Sequence, residues 1–126
     1  MNWTPISEEA LRGQLRAGEA RMTQSERRFW DSIKTEPEKW QCPHWGDQGN
    51  GFWVVAIWGE RVIWYNDIEE GFNASSYRSH GRFDEYRSEQ CELDEILRRL
   101  MDSPDGAIPE PRLLRPPQPP KTSGLA

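Results

Sequence analysis

Three carboxylates stand close together in the middle of the chain, where Asp67, Glu69 and Glu70 follow an apolar run. Carboxylates at this spacing can perform acid–base catalysis or bind a divalent cation. Asp84 and Glu85 would come near them if the neighbouring strands lie side by side. Acid–base work needs a carboxylate whose pKa has been shifted by burial, and the sequence gives no sign of that burial. A solvated acidic turn is therefore the alternative.

Aromatic residues on either side of this acidic segment suggest a second chemistry, which is recognition of a partner. An aromatic cluster beside carboxylates can bind a cation or a sugar, and aromatic anchors inside a charged rim are typical of binding surfaces. The same rings would otherwise belong to the core, which we expect of the tryptophans inside strands. The candidate binding residues are Asp67, Glu69, Glu70, Phe72, Tyr77, Trp40 and Trp45.

The residue types that bind transition metals are scattered along the chain, at Cys42, His44, His80 and Cys91. A structural zinc site needs four ligands that come in close pairs, and only Cys42-Pro-His44 forms one. No serine lies in a nucleophile elbow, and the glycine loop at 46–51 lacks the Lys-Ser/Thr of a phosphate-binding loop. The sequence predicts no metal, no cofactor and no catalytic residue.

The charge balance points away from nucleic acid. The 126 residues include 16 Lys and Arg against 21 Asp and Glu, which gives a net charge of −5. Nucleic-acid binding depends on basic side chains that neutralise phosphates, so a basic protein partner or a cationic ligand fits better. No apolar run approaches the ~18 residues of a membrane helix, and the N-terminus lacks a secretory pattern. We expect a cytoplasmic protein without membrane contact, whose oligomeric state is open.

Two helices are predicted near the N-terminus, where together they would form a helical hairpin. The first covers 8–17, with Ser7 as its cap and Gly18 as its stop signal. The second starts at Gln24, after the capping-box spacing of Thr23-Gln-Ser-Glu26, and ends at Pro37. The residues that follow, 40–51, are typical of a loop.

The strongest strand signal is the apolar run at 52–58, which predicts a strand covered on both faces. A turn at Gly59-Glu60 leads to a partner strand at 62–65. Weaker strands are predicted at 72–77 and 82–86, on either side of a turn at Ser79-His-Gly81. These segments predict a small antiparallel sheet of three to four strands.

A C-terminal amphipathic helix is predicted at 89–101, with Ser88 as its cap. Its apolar residues recur at helical spacing and are Leu93, Ile96, Leu97, Leu100 and Met101. We expect this stripe to pack on the sheet, which completes a single α+β domain at 1–103.

Residues 104–126 are rich in proline and have few apolar anchors. This composition predicts a disordered or polyproline-II tail. The run Arg115-Pro-Pro-Gln-Pro-Pro-Lys121 is similar to an SH3-domain ligand, although a plain solvated tail is the simpler interpretation.

Several segments give the chain a resemblance to a known group of sequences: 18–23, 37–40, 51–55 and above all Trp64-Tyr-Asn-Asp-Ile-Glu-Glu-Gly-Phe-Asn73. In these segments the chain resembles a group of small, uncharacterised bacterial proteins, up to about Leu100. The resemblance implies no activity and transfers no catalytic residue. In size, acidity and lack of a catalytic motif, the chain is also similar to bacterial immunity and accessory proteins.

Two functions follow from these patterns. The first is a non-enzymatic interaction module of a bacterial cytoplasm, which uses an acidic and aromatic face to bind a protein partner. The alternative is a binder of small molecules or cations, or an enzyme, that uses the carboxylates near Asp67 and Glu70. A deep pocket that converges on these carboxylates would favour the alternative.

Overall fold

The computed structural model describes residues 4–43 and 51–102, and there the chain has the α+β class that the sequence predicts. The helices are α1 (Glu8–Ala20), α2 (Gln24–Ile33) and α3 (Leu93–Met101). The strands are β1 (Lys34–Trp40), β2 (Phe52–Trp58), β3 (Arg61–Asn66), β4 (Gly71–Ser79) and β5 (Arg82–Phe83). The predicted count of three to four strands is wrong, because the sheet of the described residues has five. The predictions for Trp45 and for the tail at 104–126 lie outside these residues.

The starts of the first two helices are confirmed by their capping side chains. The Ser7 Oγ accepts the Ala10 N–H at 3.1 Å. At the second helix, the Thr23 Oγ1 accepts the Glu26 N–H at 3.1 Å, and the Glu26 Oε1 accepts the Thr23 N–H at 2.9 Å. Each bond satisfies a backbone N–H that has no partner within the helix.

Gly18 does not stop α1, which continues for two residues beyond it to Ala20. It is buried where α1 crosses α3, and a Cβ at this position would lie 2.7 Å from the Leu93 Cβ. The glycine therefore lets the two helices approach each other closely. In a sequence, a glycine with this packing role cannot be told from one that ends a helix.

Strand β1 occupies residues where the sequence predicts the end of a helix and the start of a loop. The helix ends at Ile33, and Lys34 already has extended backbone (φ −66°, ψ 150°). Pro37 is tolerated because β1 lies at the end of the strand order and its register with β2 shifts between Lys34 and Glu38. Proline is found in sheets mainly at edges and bulges, so it does not exclude a strand here.

The strands pair antiparallel in chain order, from β1 to β5. The predicted turn between β2 and β3 is confirmed, with Gly59 at φ 60°. The sheet curls until its two ends meet beside Gln41. There the Gln41 N–H donates to the Gly81 carbonyl at 2.9 Å, and the Phe83 N–H donates to the Gln41 carbonyl at 3.0 Å.

The outer face of the curled sheet is covered by the helices, and we call this packing layer the helix-side core. Its buried residues include Leu11, Trp30, Val55, Ile63, Phe72, Leu93, Ile96, Leu97 and Leu100. The stripe predicted for the C-terminal helix thus lies in this core, and α3 packs on the sheet, where it contacts β4.

The inner face of the sheet holds a second packing layer, the interior core. Its buried residues are Trp40, Cys42, Phe52, Val54, Val62, Trp64 and Phe83. Successive side chains of a strand point to opposite faces, so an apolar run supplies both cores. In β3, for example, Val62 and Trp64 belong to the interior core and Ile63 and Tyr65 to the helix-side core.

Residues 84–90, which we call the strap, lie beside β4 without regular secondary structure. Buried side chains of the sheet donate to alternate carbonyls of the strap: Ser75 to Glu85 at 2.7 Å, Asn66 to Arg87 at 2.9 Å and Asn73 to Glu89 at 2.9 Å. Bonds at alternate residues hold the strap extended, because the period of an extended chain is two.

The strap explains why α3 begins at Leu93 and not at 89 as the sequence predicts. The Glu89 N–H donates to the Asn73 Oδ1 at 2.8 Å, which keeps this residue out of a helix. The helix starts instead at a capping box of Glu92 and Glu95. Ser88 is a plausible cap by sequence, but it belongs to the strap.

Candidate functional site

The turn at 67–70, which connects β3 to β4, is called here the acidic turn. Asn66 is fully buried beneath it. Its Oδ1 accepts the N–H groups of Ile68 at 3.0 Å and of Glu69 at 3.1 Å, while its carbonyl accepts the Glu70 N–H at 2.7 Å. Asparagine commonly stabilises turns through such bonds. The backbone of the acidic turn is therefore held by Asn66, independently of the carboxylates that the turn carries.

Glu70 has a left-handed backbone, with φ 62°, and it is the one non-glycine residue with positive φ in the described ranges. A residue with a Cβ adopts this conformation at a cost of about 1 kcal/mol, whereas glycine does so freely. The Glu70 side chain is exposed and forms no hydrogen bond or ion pair with residues 4–43 or 51–102. Its contacts with the described residues do not explain why glutamate stands here.

Asp67 is half-buried, and its two oxygens have different surroundings. The Oδ2 accepts the Ile6 N–H at 2.8 Å. The Oδ1 is buried and accepts no hydrogen bond from the part of the chain described. Burial raises the pKa of this carboxyl above its ordinary value, although the hydrogen bonds from the Ile6 N–H and from its own backbone N–H, and the nearby charge of Lys39, act in the opposite direction. This is the desolvation that acid–base or ligand chemistry would require.

Glu69 is half-buried and adds a third carboxylate to the turn. Its backbone carbonyl accepts the Gln90 Nε2 at 2.9 Å, which ties the turn to the end of the strap. Its carboxylate, like that of Glu70, pairs with no described cation. The turn therefore presents negative charge that the described chain leaves uncompensated at these two residues.

The structure separates the aromatic residues that the sequence groups with the turn. Phe72 is 1% exposed and lies in the helix-side core, with its ring 4.9 Å from that of Tyr65. Trp40 is 0% exposed and lies in the interior core, with its ring 5.1 Å from that of Tyr77. Phe72 and Trp40 thus offer no surface to a partner, whereas Tyr77 is half-buried. Trp45 lies outside the described residues.

Residues that the sequence does not point to surround Asp67 instead. The Trp53 Nε1 donates to the Ile6 carbonyl at 3.4 Å, so Asp67 and Trp53 hold the same residue from two sides. The Lys39 Nζ lies 5.1 Å from the centroid of the Trp53 ring, within the range of a cation–π contact. Lys39 and Trp53 are cross-strand partners of β1 and β2, a pairing that can be predicted only once β1 is known.

No family model, curated protein or solved structure matches this chain. The resemblance to small bacterial proteins and the cytoplasmic location therefore stay predictions. Within the described ranges, no helix has the length and apolar character that crossing a membrane requires.

A cleft of about 250 Å³ lies away from the acidic turn, between α1, α2 and β1. Its lining includes Arg12, Trp30 and Glu36, together with apolar and charged neighbours. Its polar groups pair with one another, since Arg12 binds Glu36 at 3.0 Å and the Trp30 Nε1 donates to Glu19 at 2.7 Å. The carboxylates of the acidic turn do not line it.

The two cysteines lack the features of reactive thiols. Cys42 and Cys91 are both buried, and burial raises the pKa of each thiol to about 11. A thiol that is protonated at neutral pH is a poor nucleophile and metal ligand. In the part of the chain that the structure describes, no three metal-binding side chains are grouped. His80 pairs with Glu38 in a surface contact at 2.8 Å, and its ring lies 4.7 Å from that of Trp40.

Proposed function

We propose that the chain is a non-enzymatic interaction module that binds a basic protein partner through the acidic turn. Its role would be that of a bacterial immunity or accessory protein of the cytoplasm, which neutralises or escorts its partner. The observation that supports this proposal is that two residues of one turn carry charge at an energetic cost that neutral residues would avoid.

Asp67 is the first of these residues. Its structural contact is the hydrogen bond from the Ile6 N–H, and an asparagine oxygen would accept the same bond without a charge. The aspartate instead keeps a half-buried charge whose burial raises its pKa, which means that folding disfavours the ionised form. A group retained against stability is more often explained by function than by folding.

Glu70 is the second residue. Glycine or asparagine would adopt its left-handed backbone with less strain. Strained backbone is found preferentially at binding and catalytic sites, and here it presents an exposed carboxylate beside that of Glu69. Charges in this position would speed association with a basic surface and select against acidic ones.

The proposal is tested by charge reversal with a matched control. The test variant combines Glu69→Lys and Glu70→Lys, and the control combines Glu9→Lys and Glu60→Lys, which change the net charge equally at exposed residues of α1 and of the β2–β3 turn. Proteins captured from the native cell by the parent and by the control should be lost with the test variant, and their capture by the parent should weaken with salt. Thermal melts of both variants would confirm that the fold survives, as expected for surface charges. Equal capture by both variants would refute the proposal.

A site for a cation or small molecule, or an enzyme site, is the second candidate. It is favoured by the Asp67 carboxyl. The Oδ1 of this group is buried and accepts no hydrogen bond from the described residues, and burial raises the pKa of the group. Titration with Ca²⁺ and Mg²⁺, followed by amide NMR signals, separates this candidate from the first. Saturable shifts at residues 66–71 that Asp67→Asn removes would favour a cation site.

A further inference from the structure

We infer that the Trp53 ring and the acidic turn together form a recognition site for an ammonium group, such as a lysine side chain of the partner, and that Lys39 occupies this site in the free protein. The inference rests on the proposed function and specifies its partner chemistry. It also assigns to Lys39 an autoinhibitory role that limits affinity for the partner.

The geometry begins with the row of cross-strand neighbours Lys39, Trp53 and Tyr65 on β1, β2 and β3. Neighbours in one row of a sheet lie on the same face, so the three side chains share the helix-facing side. Lys39 extends its Nζ over the Trp53 ring, at 5.1 Å from the centroid. Lys39 and Trp53 are half-buried, so water reaches this contact and another cation can do so too.

Asp67 supplies the negative charge of the site. It lies close to Trp53, because its Oδ2 accepts the Ile6 N–H at 2.8 Å while the Trp53 Nε1 donates to the Ile6 carbonyl at 3.4 Å. The charge of Lys39 lowers the pKa of the Asp67 carboxyl, against the larger effect of burial. An aromatic face next to a carboxylate is the combination that proteins use to bind ammonium groups.

Lys39, which occupies the ring in the free protein, indicates the chemistry that the site accepts. A lysine of the chain already lies on the ring, so a lysine from a partner would make the same cation–π contact there. Glu69 and Glu70 follow Asp67 in the same turn and add two negative charges to it, and the Glu70 side chain is exposed. The partner must displace Lys39 before it can use the ring, and this competition lowers its apparent affinity.

The experiment compares two single substitutions on the same strand. Lys39→Ala vacates the ring, and Lys34→Ala removes the same charge from a residue that pairs with Asp31 at 3.1 Å instead. An oligolysine peptide is the probe, and its affinity for each full-length variant is measured by calorimetry. We expect Lys39→Ala to bind the probe about twofold to fivefold more tightly than Lys34→Ala, the range of a partly exposed cation–π contact. The Trp53 indole N–H signal, assigned by its loss in Trp53→Phe, should shift during the titration of Lys39→Ala.

Equal affinities of the two variants would overturn the inference, because the gain would then reflect net charge alone. A gain without a shift of the Trp53 signal would overturn it as well, since the probe would bind elsewhere. Absence of probe binding to both variants is a third refutation. If Lys39→Ala melts below the parent, Lys39→Gln with Lys34→Gln as its control repeats the comparison with the side-chain stem retained. The proposed function survives all of these results if Glu69→Lys with Glu70→Lys still abolishes capture of the partner.

Discussion

Two polar regions meet where β3 passes into β4, and they differ in how their polar groups are satisfied. On the side of the strap, Asn66, Asn73 and Ser75 are neutral, fully buried and hydrogen-bonded to backbone groups. In the acidic turn, directly adjacent, Asp67 has a buried oxygen without a described donor and Glu70 has a strained backbone.

This difference separates polar residues that serve the fold from polar residues that do not. Buried polar groups are nearly always paired in native proteins, because an unpaired group costs the full energy of its desolvation. Asn66, Asn73 and Ser75 follow this rule, and their removal should damage the fold. The acidic turn departs from it, and neutral replacements there should improve the fold while they harm binding.

The largest effect is expected for Asn73→Ala, on the side of the strap. The substitution leaves the Glu89 N–H and carbonyl without the bonds of 2.8 and 2.9 Å that Asn73 makes. We expect the free energy of unfolding in urea to fall by about 2–4 kcal/mol, since each orphaned group costs about 1–3 kcal/mol. The control is Ser76→Ala on the same strand, where an exposed hydroxyl contacts Glu85 at 3.3 Å and should contribute little. If the two variants are equally stable, the buried hydrogen bonds beside the strap do not serve the fold, and the contrast with the acidic turn is wrong.

An opposite and smaller effect is expected for Asp67→Asn. At neutral pH this variant should be more stable than the parent by on the order of 1 kcal/mol, because it buries an amide in place of a charge. Since the pKa of Asp67 is raised in the folded state, the folded chain binds this proton more tightly than the unfolded chain does. The parent therefore loses stability as the pH rises through the folded-state pKa.

The advantage of Asp67→Asn should accordingly be present above the folded-state pKa of Asp67 and should disappear below its ordinary, unfolded value. Thermal melts of the parent and the variant across the acidic range measure this difference directly. An advantage that is independent of pH would show that the charge of Asp67 is not its source. A loss of stability at neutral pH would show that the ionised carboxylate is structural, through its bond with Ile6.

The sequence predicts much of the helix-side core, because several of its elements have a strong local signal. The apolar run at 52–58, the stripe from Leu93 to Leu100 and the capping box at Thr23 all reflect short-range geometry. Strand β1 cannot be recognised from the sequence, because its residues before Trp40 are charged or polar apart from Pro37, and only pairing with β2 makes it a strand. The strap cannot be predicted from the sequence for a similar reason, since its extended form depends on side chains of β3 and β4.

The candidate site is predictable only in part, and for the same physical reason. The acidic residues of the turn are visible in the sequence because the turn follows directly from the strands beside it. Burial is not visible, so the sequence assigns Phe72 and Trp40 to a binding face although both are enclosed in the cores. The pairing of Lys39 with Trp53 requires β1, and the contact of Ile6 with Asp67 joins residues that are 61 positions apart.

The smallest effect on stability, and the most direct test of the account, is expected for Glu70→Gly. The substitution removes both the exposed carboxylate and the strain of the left-handed backbone. We expect the free energy of unfolding to rise by about 0.5–1 kcal/mol, whereas the control Glu70→Ala loses the carboxylate but keeps the strain and should not gain. The decisive measurement is the affinity of Glu70→Gly for the captured partner, made on the same sample as the unfolding curve. A more stable protein that binds its partner more weakly is the result that the account predicts. A Glu70→Gly variant that binds the partner as tightly as the parent, whatever its stability, would contradict it.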